Sequence, residues 1–558
     1  MTPETRPRPW RKLYPPGVDP ELAAPSRTVL DSFLDTVAAD PDAAAVHYFG
    51  ATLTRAEVAE HSGRLAAVLR DAGVVRGDRI AVSLQNTPIM AVALLAAWSA
   101  GASVVPINPM LRPDELAPML ADCGAVVLIA HPAMREVVES TRIRLERPPI
   151  TLWSDPADLA GDSPTLPFPV DVRLPPGERT VLAECAAARV EDGRPRPGAD
   201  DTALITYTSG TTGPAKGAMS SHANLAYQME NARQWFGCDA STSVLTVAPL
   251  FHITGLGLHA ALALGNGYPL VMTYRFEPRT VLQLIERYEP TFTIGAITAF
   301  ISLLESGPDT GRTLGKLQIL YSGGAPVPAQ VVERFERATG RYIHNIYGLT
   351  ETSSACIGVP LGARAPIEQR SGALSIGVPM GGTTVTVVDD AGQPVPSGGE
   401  GEIVVAGPQV DLGYWRKPGE TAAAFRPDGM HTGDIGVMDA DGWVYVVDRK
   451  KDLVVVSGYK VWPRDVEDVL YRHPAVKEAA VVGRPDGYRG ETLHAYVSVR
   501  AGEAVTAADL RAHCREHLSA YKVPAEYYFV DELPKTITGK ILRRTLRDAP
   551  TPTTQSAR

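Results

Sequence analysis

Residues 205–219 read ITYTSGTTGPAKGAM, and the organisation of the chain can be worked out from this stretch. An apolar segment typical of a buried strand leads into a turn rich in glycine and hydroxyl groups, with one lysine. Glycines let the backbone approach an anion closely, hydroxyl and free N–H groups bind its oxygens, and the lysine adds charge. The stretch therefore predicts a polyphosphate-binding loop. Its expected binding residues are Thr208, Ser209, Gly210, Thr211, Thr212, Gly213 and Lys216.

This loop is not a Walker A motif. That motif requires a glycine directly before its lysine and serine or threonine directly after it. Counting from Gly210, these two positions hold Ala215 and Gly217. The prediction therefore depends on the density of glycines, hydroxyls and charge around Lys216, and a flexible surface loop is the alternative interpretation.

Outward from the loop, helical and strand patterns alternate. Thr54 and Glu57 form a capping-box pair at the start of a helix that Gly73 can end. Strands separated by helices indicate a mainly parallel sheet covered on both faces. Residues 161–200, rich in Pro, Gly, Asp and Arg, are expected to form a surface connection rather than a core element. The segments that fit the alternation are 79–84, 88–99, 102–107, 113–121 and 125–130.

The last third of the chain changes character. From about Thr383, short strands joined by D-D-A-G and D-A-D-G turns indicate hairpins and a small barrel-like section. After Asp452 a compact α+β run follows. The predicted fold class is therefore α/β: a large N-terminal region of several subdomains with mainly parallel sheets flanked by helices, the barrel-like section, and a small α+β C-terminal domain. We divide the chain at 1–450 and 451–558, because 558 residues exceed one ordinary core.

Composition restricts the class of protein. The formal net charge of −9 argues against a binder of duplex nucleic acid, although a local basic pocket remains compatible with it. The five cysteines are scattered and include no C-x-x-C pair, so we expect free thiols rather than disulfides or a zinc site. The polar N-terminus is not a signal peptide, and the most apolar stretch, 90–107, is too interrupted for a membrane span. We expect a cytoplasmic protein.

Four further segments contain residues suited to ligand binding or catalysis. HNIYGLTETSS (344–354) offers a ring in Tyr347 and oxygen ligands in Thr350 and Glu351, and HTGDIG (431–436) places Asp434 in a glycine turn that suits a ribose diol. DRKKDLVVVSGYKVWPRDVE (448–467) joins a charged run to a strand and a glycine turn, and LPKTITGKILRR (533–544) contains Lys540. Each segment alone is equally compatible with an ordinary surface turn.

Together and in this order, the five segments resemble the adenylate-forming superfamily of acyl-CoA synthetases, non-ribosomal-peptide adenylation domains and beetle luciferases, within it the acyl-CoA synthetase branch. The resemblance runs from about residue 30 to 544. It implies ATP, Mg²⁺ and coenzyme A as cofactors and co-substrates, and an acid–CoA ligase that activates a hydrophobic carboxylic acid to an acyl-adenylate. It also implies that the C-terminal domain is mobile.

The resemblance assigns roles residue by residue. The 208–217 loop would hold the β- and γ-phosphates of ATP, although Ala215 stands where the family usually has proline. Glu351 would hold Mg²⁺ together with Thr208, Thr350 would contact the α-phosphate, and His252 would separate the acid from the incoming thiol. The residues implied for the adenosine part are Gly323, Gly324, Ala325, Pro326, Asn345, Tyr347, Gly348, Asp434 and Arg449.

Lys540 matches the adenylation lysine. A lysine between the acid and the α-phosphate neutralises their repulsion and stabilises charge in the transition state. Lys451 matches the hinge after which the C-terminal domain swings, and Gly458 matches the loop that then reaches the tunnel for the CoA thiol. No covalent enzyme intermediate is implied, since the acid is already ionised.

The acid remains open. Segments 251–258, 291–300 and 353–359 are apolar and small, and Gly255, Gly257, Gly295 and Ala296 should leave space for a hydrophobic body. A fatty acid is the first expectation, with an alicyclic, terpenoid or aryl acid next. The alternatives are an acyl-AMP ligase that loads a carrier protein or partner enzyme, an amino-acid adenylation domain, a luciferase-like oxygenase, and a non-catalytic nucleotide sensor. A homodimer is left open.

Overall fold

A computed structural model describes residues 8–161, 174, 177–189, 196–208, 215–369, 373–449, 452–457, 459–486, 489–536 and 539–549. Within these ranges the strands form four sheets. The α/β class is confirmed: two large sheets are mainly parallel, a third is antiparallel and curls as a half-barrel, and a fourth lies in the C-terminal part. No helix in the described part of the chain combines the length and the apolar character that a membrane crossing requires.

The first large sheet has six strands, parallel except for the last pair. The second has nine, with a parallel centre and antiparallel edges. In spatial order the six are Ile150–Trp153, Val127–Ala130, Arg79–Ser83, Ser103–Pro106, Thr202–Tyr207 and Gly217–Ser221. The nine are Val378–Pro379, Ser354–Gly358, Ile343–Leu349, Ile319–Ser322, Phe292–Gly295, Val244–Thr246, Leu270–Met272, Ala44–Tyr48 and Ala51–Thr54.

The two smaller sheets complete the described chain. The half-barrel consists of Thr384–Val388, Glu400–Ala406, Gly429–Met438, Phe425–Arg426 and Val444–Arg449. The C-terminal sheet consists of Tyr459–Val461, Val454–Val456, Gly490–Val499, Val476–Asp486 and Glu526–Phe529. Around the C-terminal sheet, a hydrophobic core forms from side chains between Val454 and Phe529.

The helices follow the patterns of the sequence. Thr54 and Glu57 form the predicted capping box, with the Glu57 N–H donating to Thr54 Oγ1 at 3.2 Å and the Thr54 N–H donating to Glu57 Oε2 at 2.7 Å. The described α-helices are Val29–Ala39, Arg55–Asp71, Pro88–Ser99, Pro113–Cys123, Arg135–Arg142, Val181–Ala187, His222–Trp235, Ile253–Gly255, Leu262–Asn266, Pro278–Tyr288, Ile297–Leu304, Thr310–Leu314, Ala329–Thr339, Pro418–Ala424, Pro463–Arg472, Ala507–His517 and Arg543–Asp548. A π-helix covers Leu256–Ala261.

The prediction for residues 161–200 is wrong in part. Helix Val181–Ala187 lies within this stretch, and its Val181 and Cys185 side chains are buried in the main hydrophobic core. These two side chains are four residues apart, so they lie on one face of the helix and pack together against the core. The prediction missed them because the surrounding residues are mostly Pro, Gly and charged.

The parallel strands position the site. Val244–Thr246, Phe292–Gly295, Ile319–Ser322 and the start of Ile343–Leu349 run in one direction, so their carboxyl ends meet at one edge of the sheet. Ligands of open α/β sheets bind outside this edge. The segments that follow these strands contain five of the residues singled out by the sequence that line the site, namely His252, Gly323, Gly324, Thr350 and Glu351.

Candidate active site

One cavity of about 1080 Å³ lies outside this edge, between the sheets, the half-barrel and the C-terminal part. Residues from all of these parts line it. The structure thus brings together side chains that are more than 300 positions apart in the sequence. The sequence-predicted residues on its wall are Thr208, Lys216, His252, Gly323, Gly324, Tyr347, Gly348, Thr350, Glu351, Asp434 and Lys540.

Other predicted residues lie off the wall. The buried Asn345 donates from Nδ2 to the Ser375 carbonyl oxygen at 3.0 Å. Ala325 and Pro326 continue beyond Gly324 without lining the cavity, and the Arg449 backbone pairs with Asp434 across the half-barrel. The predicted positions outside the described residues are Ser209, Gly210, Thr211, Thr212, Gly213, Lys451 and Gly458.

Tyr347 and Asp434 connect the nine-stranded sheet to the half-barrel. The Tyr347 hydroxyl donates to Asp434 Oδ2 at 2.6 Å. Burial, and then the charge of Asp434, raises the pKa of the Tyr347 phenol well above its ordinary value, so the phenol remains a donor. The Asp434 N–H donates to Thr432 Oγ1 at 3.1 Å, which fixes the glycine turn. An aromatic ring and a carboxylate are thereby held on one side of the cavity.

Glu351, Lys216 and Tyr414 form a second group on the wall. The Tyr414 hydroxyl donates to Glu351 Oε1 at 2.7 Å, and Lys216 Nζ lies 4.5 Å from the centre of the Tyr414 ring. Burial, and then the charge of Glu351, raises the pKa of the Tyr414 phenol. The Thr208 N–H donates to the Lys216 carbonyl at 2.9 Å, so the two ends of the predicted anion loop are joined. Sequence reasoning missed Tyr414; the only signal was the G-Y-W triplet at 413–415.

A strained turn fixes the backbone after Glu351. Ser353 and Ser354 have φ angles of +48° and +105°, in the region that ordinary residues avoid. The Ser353 hydroxyl donates to Asp411 Oδ1 at 2.6 Å, and the Asp411 N–H donates to the Glu351 carbonyl at 3.0 Å. Burial raises the pKa of Asp411 to about 7, and the charge of Glu351 adds to that effect. Strain that is held by such bonds is typical of functional sites.

His252 lines the same cavity from the segment that follows strand Val244–Thr246. It caps the short helix Ile253–Gly255 through its Nδ1, which accepts from the Thr254 N–H at 3.3 Å. Burial, and then the nearby charge of Lys540, lowers the pKa of His252 to about 4. The imidazole is therefore neutral at physiological pH, and Lys540 lines the same cavity.

Lys540 reaches the cavity on a tight turn of the C-terminal part. Its N–H donates to Thr536 Oγ1 at 3.1 Å, and the Thr536 N–H donates to the Lys540 carbonyl at 2.7 Å. Gly539 has φ +81°, and a β-carbon there would collide with Thr298 and lie 3.0 Å from Ala296 Cβ. The lysine turn therefore packs directly on the start of helix Ile297–Leu304.

The far side of the cavity is apolar. Of the four small residues expected to leave space, Gly295 and Ala296 line the cavity, whereas Gly255 and Gly257 do not. A β-carbon on Gly255 would collide with the Pro249 carbonyl, so this glycine serves close backbone packing. The expectation was wrong for Gly255 and Gly257. The aliphatic residues on this side are Val247, Ala248, Ile253, Leu258, Ile294 and Ala299.

The wall suits a magnesium ion that is shared with a phosphate ligand. Glu351 presents one carboxylate to the cavity, and Thr208 and Thr350 add hydroxyls. Among the described residues, no group of three or more His, Cys, Asp or Glu side chains gathers to enclose a metal. Mg²⁺ is commonly bound by one or two carboxylates, waters and substrate phosphates rather than by a protein cage, so this donor set fits it.

The two parallel sheets, the half-barrel and the lysine of the C-terminal part define an adenylate-forming enzyme. The model of the AMP-binding enzyme family matches residues 33–415, and that of the AMP-binding enzyme C-terminal domain matches residues 465–540. The chain belongs to the AMP-binding enzyme family, in its acyl-CoA synthetase branch.

Similar proteins agree with this assignment. The long-chain-fatty-acid–CoA ligase of Bacillus subtilis is 34% identical over 98% of both chains, and the feruloyl-CoA synthase of an Amycolatopsis species is 37% identical over 91% of this chain and 96% of its own. The solved structure of the anthranilate CoA ligase AuaEII with anthranoyl-AMP has a TM-score of 0.84 at 26% identity, covering 98% of both chains.

Proposed function

We propose that the protein is an ATP-dependent acid–CoA ligase that forms an acyl-adenylate from a hydrophobic carboxylic acid and passes the acyl group to coenzyme A. The observation that carries the proposal is the single cavity in which Lys540, Glu351, Lys216 and Asp434 meet an apolar compartment. Polar and charged groups suited to a nucleotide thus share one cavity with aliphatic residues suited to an apolar acid, and His252 lines the same cavity.

In the first half-reaction, a carboxylate oxygen of the acid attacks the α-phosphorus of ATP. The new O–P bond forms as the bond to the β-phosphate oxygen breaks, and pyrophosphate leaves. Lys540 neutralises the repulsion between the carboxylate and the phosphate and stabilises negative charge in the transition state. Mg²⁺ held at Glu351 and Thr208 would supply further positive charge to the leaving pyrophosphate.

The nucleotide is oriented by the other wall residues. Tyr347 offers a ring beside the base, and Asp434 can accept hydrogen bonds from the ribose hydroxyls. Lys216 and Thr350 would contact phosphate oxygens. These assignments are supported by the fact that all four side chains line the same cavity.

In the second half-reaction, the CoA sulfur attacks the acyl carbonyl carbon. A C–S bond forms, the bond to AMP breaks, and the thiol proton is released. For this step the proposal divides the chain at 1–450 and 451–558, with a hinge near Lys451 that withdraws Lys540 and brings Gly458 to the thiol. The separate hydrophobic core between Val454 and Phe529 supports a C-terminal body that can move as a unit.

The apolar compartment favours a hydrophobic acid, either a fatty acid or an aryl acid. Both classes occur in the names of the relatives, long-chain-fatty-acid–CoA ligase and feruloyl-CoA synthase. The five cysteines are free thiols, which suits a reducing compartment, and we place the reaction in the cytoplasm.

The test is mass spectrometry of the purified protein with ATP, Mg²⁺ and a panel of fatty and aryl acids, with and without CoA. We expect acyl-CoA only when CoA is present, and its loss in Lys540→Ala. Lys316→Ala is a matched control, since Lys316 bonds Glu286 at 2.6 Å and does not line the cavity. Acyl-AMP that accumulates despite CoA would indicate a carrier-protein ligase, and ATP binding without turnover of any acid would indicate a nucleotide sensor.

A further inference from the structure

Tyr414 lies on a backbone segment that is fixed against the predicted anion loop. The segment adds to the hairpin strand Gly217–Ser221: the Met219 N–H donates to the Gly413 carbonyl at 2.9 Å, and the Trp415 N–H donates to the Gly217 carbonyl at 2.7 Å. The Tyr414 N–H donates to Thr421 Oγ1 at 2.9 Å. Tyr414 is therefore held by the strand that directly follows Lys216.

The Tyr414 side chain has two polar neighbours, and both line the cavity. Its hydroxyl donates to Glu351 Oε1 at 2.7 Å, and its ring face lies 4.5 Å from Lys216 Nζ. Only 5% of the residue is exposed, and its ring packs edge-on against Phe425 at 5.3 Å. A rigid ring thus lies between two charged groups. Lys216 directly precedes a strand of the six-stranded sheet, and Glu351 follows a strand of the nine-stranded sheet.

This arrangement constrains the geometry of both charged groups. A bond from the phenol to one carboxylate oxygen restricts the rotation of Glu351 and leaves its other oxygen available to the metal ion that it would hold. A cation over the ring face is attracted electrostatically, which limits the range of Lys216. The two groups would contact the same triphosphate, so their separation matters for binding it.

We propose that Tyr414 is a positioning residue for the first half-reaction, holding Glu351 and Lys216 at a fixed separation around the metal-bound phosphates of ATP. The proposal rests on the function proposed above. It is specific to one half-reaction, because pyrophosphate has left before the CoA thiol attacks. Loss of Tyr414 should therefore weaken metal–ATP binding and adenylate formation, and leave thioester formation from a supplied acyl-adenylate unchanged.

Two variants separate the two contacts. Tyr414→Phe removes the bond to Glu351 and keeps the ring under Lys216, whereas Tyr414→Leu removes both. Tyr445→Phe is a matched control, because the buried Tyr445 also bonds a carboxylate, Asp439 Oδ2 at 3.0 Å, and does not line the cavity. A generally structural role would affect the variants at both positions alike.

The first readout is binding rather than activity. Calorimetry with ATP and with ATP plus Mg²⁺, and electron paramagnetic resonance with Mn²⁺ as a probe, measure metal-dependent affinity. A hydrogen bond to a charged group supports an expected loss of roughly tenfold in metal-dependent affinity for Tyr414→Phe, with metal-free ATP binding retained. Tyr414→Leu should also lose roughly threefold or more in metal-free ATP binding.

The second readout divides the reaction. Tyr414→Phe should raise the Mg²⁺ concentration needed for half-maximal pyrophosphate release, and should convert a synthetic acyl-adenylate and CoA to thioester at the parent rate. An unchanged metal dependence, or an equal loss in both half-reactions, would overturn the proposal. If the parent protein formed no adenylate from any acid, the proposed function would fail, whereas the Mn²⁺ titration would still decide whether Tyr414 supports metal–ATP binding.

Discussion

Gly539→Ala is the sharpest test of how the C-terminal part docks. Gly539 precedes Lys540, has φ +81°, and approaches helix Ile297–Leu304 so closely that a β-carbon would collide with Thr298 and lie 3.0 Å from Ala296 Cβ. Alanine in this position requires the lysine turn or the Thr298 side chain to move, and the nearby Ala296 Cβ leaves the turn little room. We expect slower adenylation, because the proposed function requires Lys540 in the cavity, which it lines in this arrangement.

The proposed function lets the C-terminal part alternate between the docked arrangement and a withdrawn one. The expected magnitude therefore depends only on the free-energy costs that differ between these two states. The free-energy cost of a positive φ for alanine is present in both states as long as the turn keeps its conformation. This cost therefore does not affect the equilibrium between the two states. The collision exists only when the turn is docked, and an overpacked contact of this kind costs about 1–3 kcal/mol. That cost corresponds to a slowing of adenylation of about 5- to 150-fold.

The assay is single-turnover formation of acyl-AMP, compared with thioester formation from a supplied acyl-adenylate. Gly502→Ala is the control, because Gly502 has φ +82° and no atom within 4 Å of a β-carbon. Thr298→Ala should restore part of the adenylation rate in the Gly539→Ala background. Equal slowing by both glycine variants, or no recovery with Thr298→Ala, would refute the reasoning.

Three other perturbations test separate contacts. Lys540→Met should raise the pKa of His252 above about 4, but not to its ordinary value, because burial is the larger cause of the lowered pKa. NMR titration of the imidazole measures this pKa, and an unchanged value would contradict the prediction. Glu305→Gln removes ion pairs to Arg500 at 3.3 Å and to other cations, and should lower the ratio of adenylation to thioester rates by at most about fivefold; an unaltered or increased ratio would count against a docking contact. Ala299→Phe should narrow the apolar compartment and lower kcat/KM for long acids more than for short ones, which an acyl-chain series measures; a uniform loss would place Ala299 elsewhere in the reaction.

Features set by neighbouring residues could be predicted from the sequence. The capping box of Thr54 and Glu57 is confirmed, and the predicted helix at 88–99 is Pro88–Ser99 in the structure. The alternation of strand and helix patterns predicted mainly parallel sheets, and this is confirmed. The order of short motifs also indicated which residues would share a site, and eleven of these residues do line one cavity.

Contacts between distant segments could not be predicted in the same way. The bond from Tyr414 to Glu351 joins residues 63 positions apart, and nothing in G-Y-W indicates the partner. The structure also buries Asp411 against Ser353, 58 positions earlier, and no local pattern in the sequence indicates this contact. Gly255 was expected to leave space in the pocket, and the sequence alone could not correct this. A glycine that accommodates a neighbouring backbone cannot be distinguished in the sequence from a glycine that borders a cavity.

Helix Ile297–Leu304 explains why recognition of the acid and docking of the C-terminal part should be linked in the proposed function. Thr298 and Ser302 lie one turn apart on the face towards the cavity, with Ala299 beside them. Thr298 also contacts the Gly539 turn, and Glu305, directly after the helix, pairs with Arg500 of the C-terminal part. Changes at Ala299 and Ser302 can therefore reshape the acid compartment at little cost to docking, whereas a change at Thr298 alters both. Variation in acid preference should accordingly arise at the first two positions more readily than at the third.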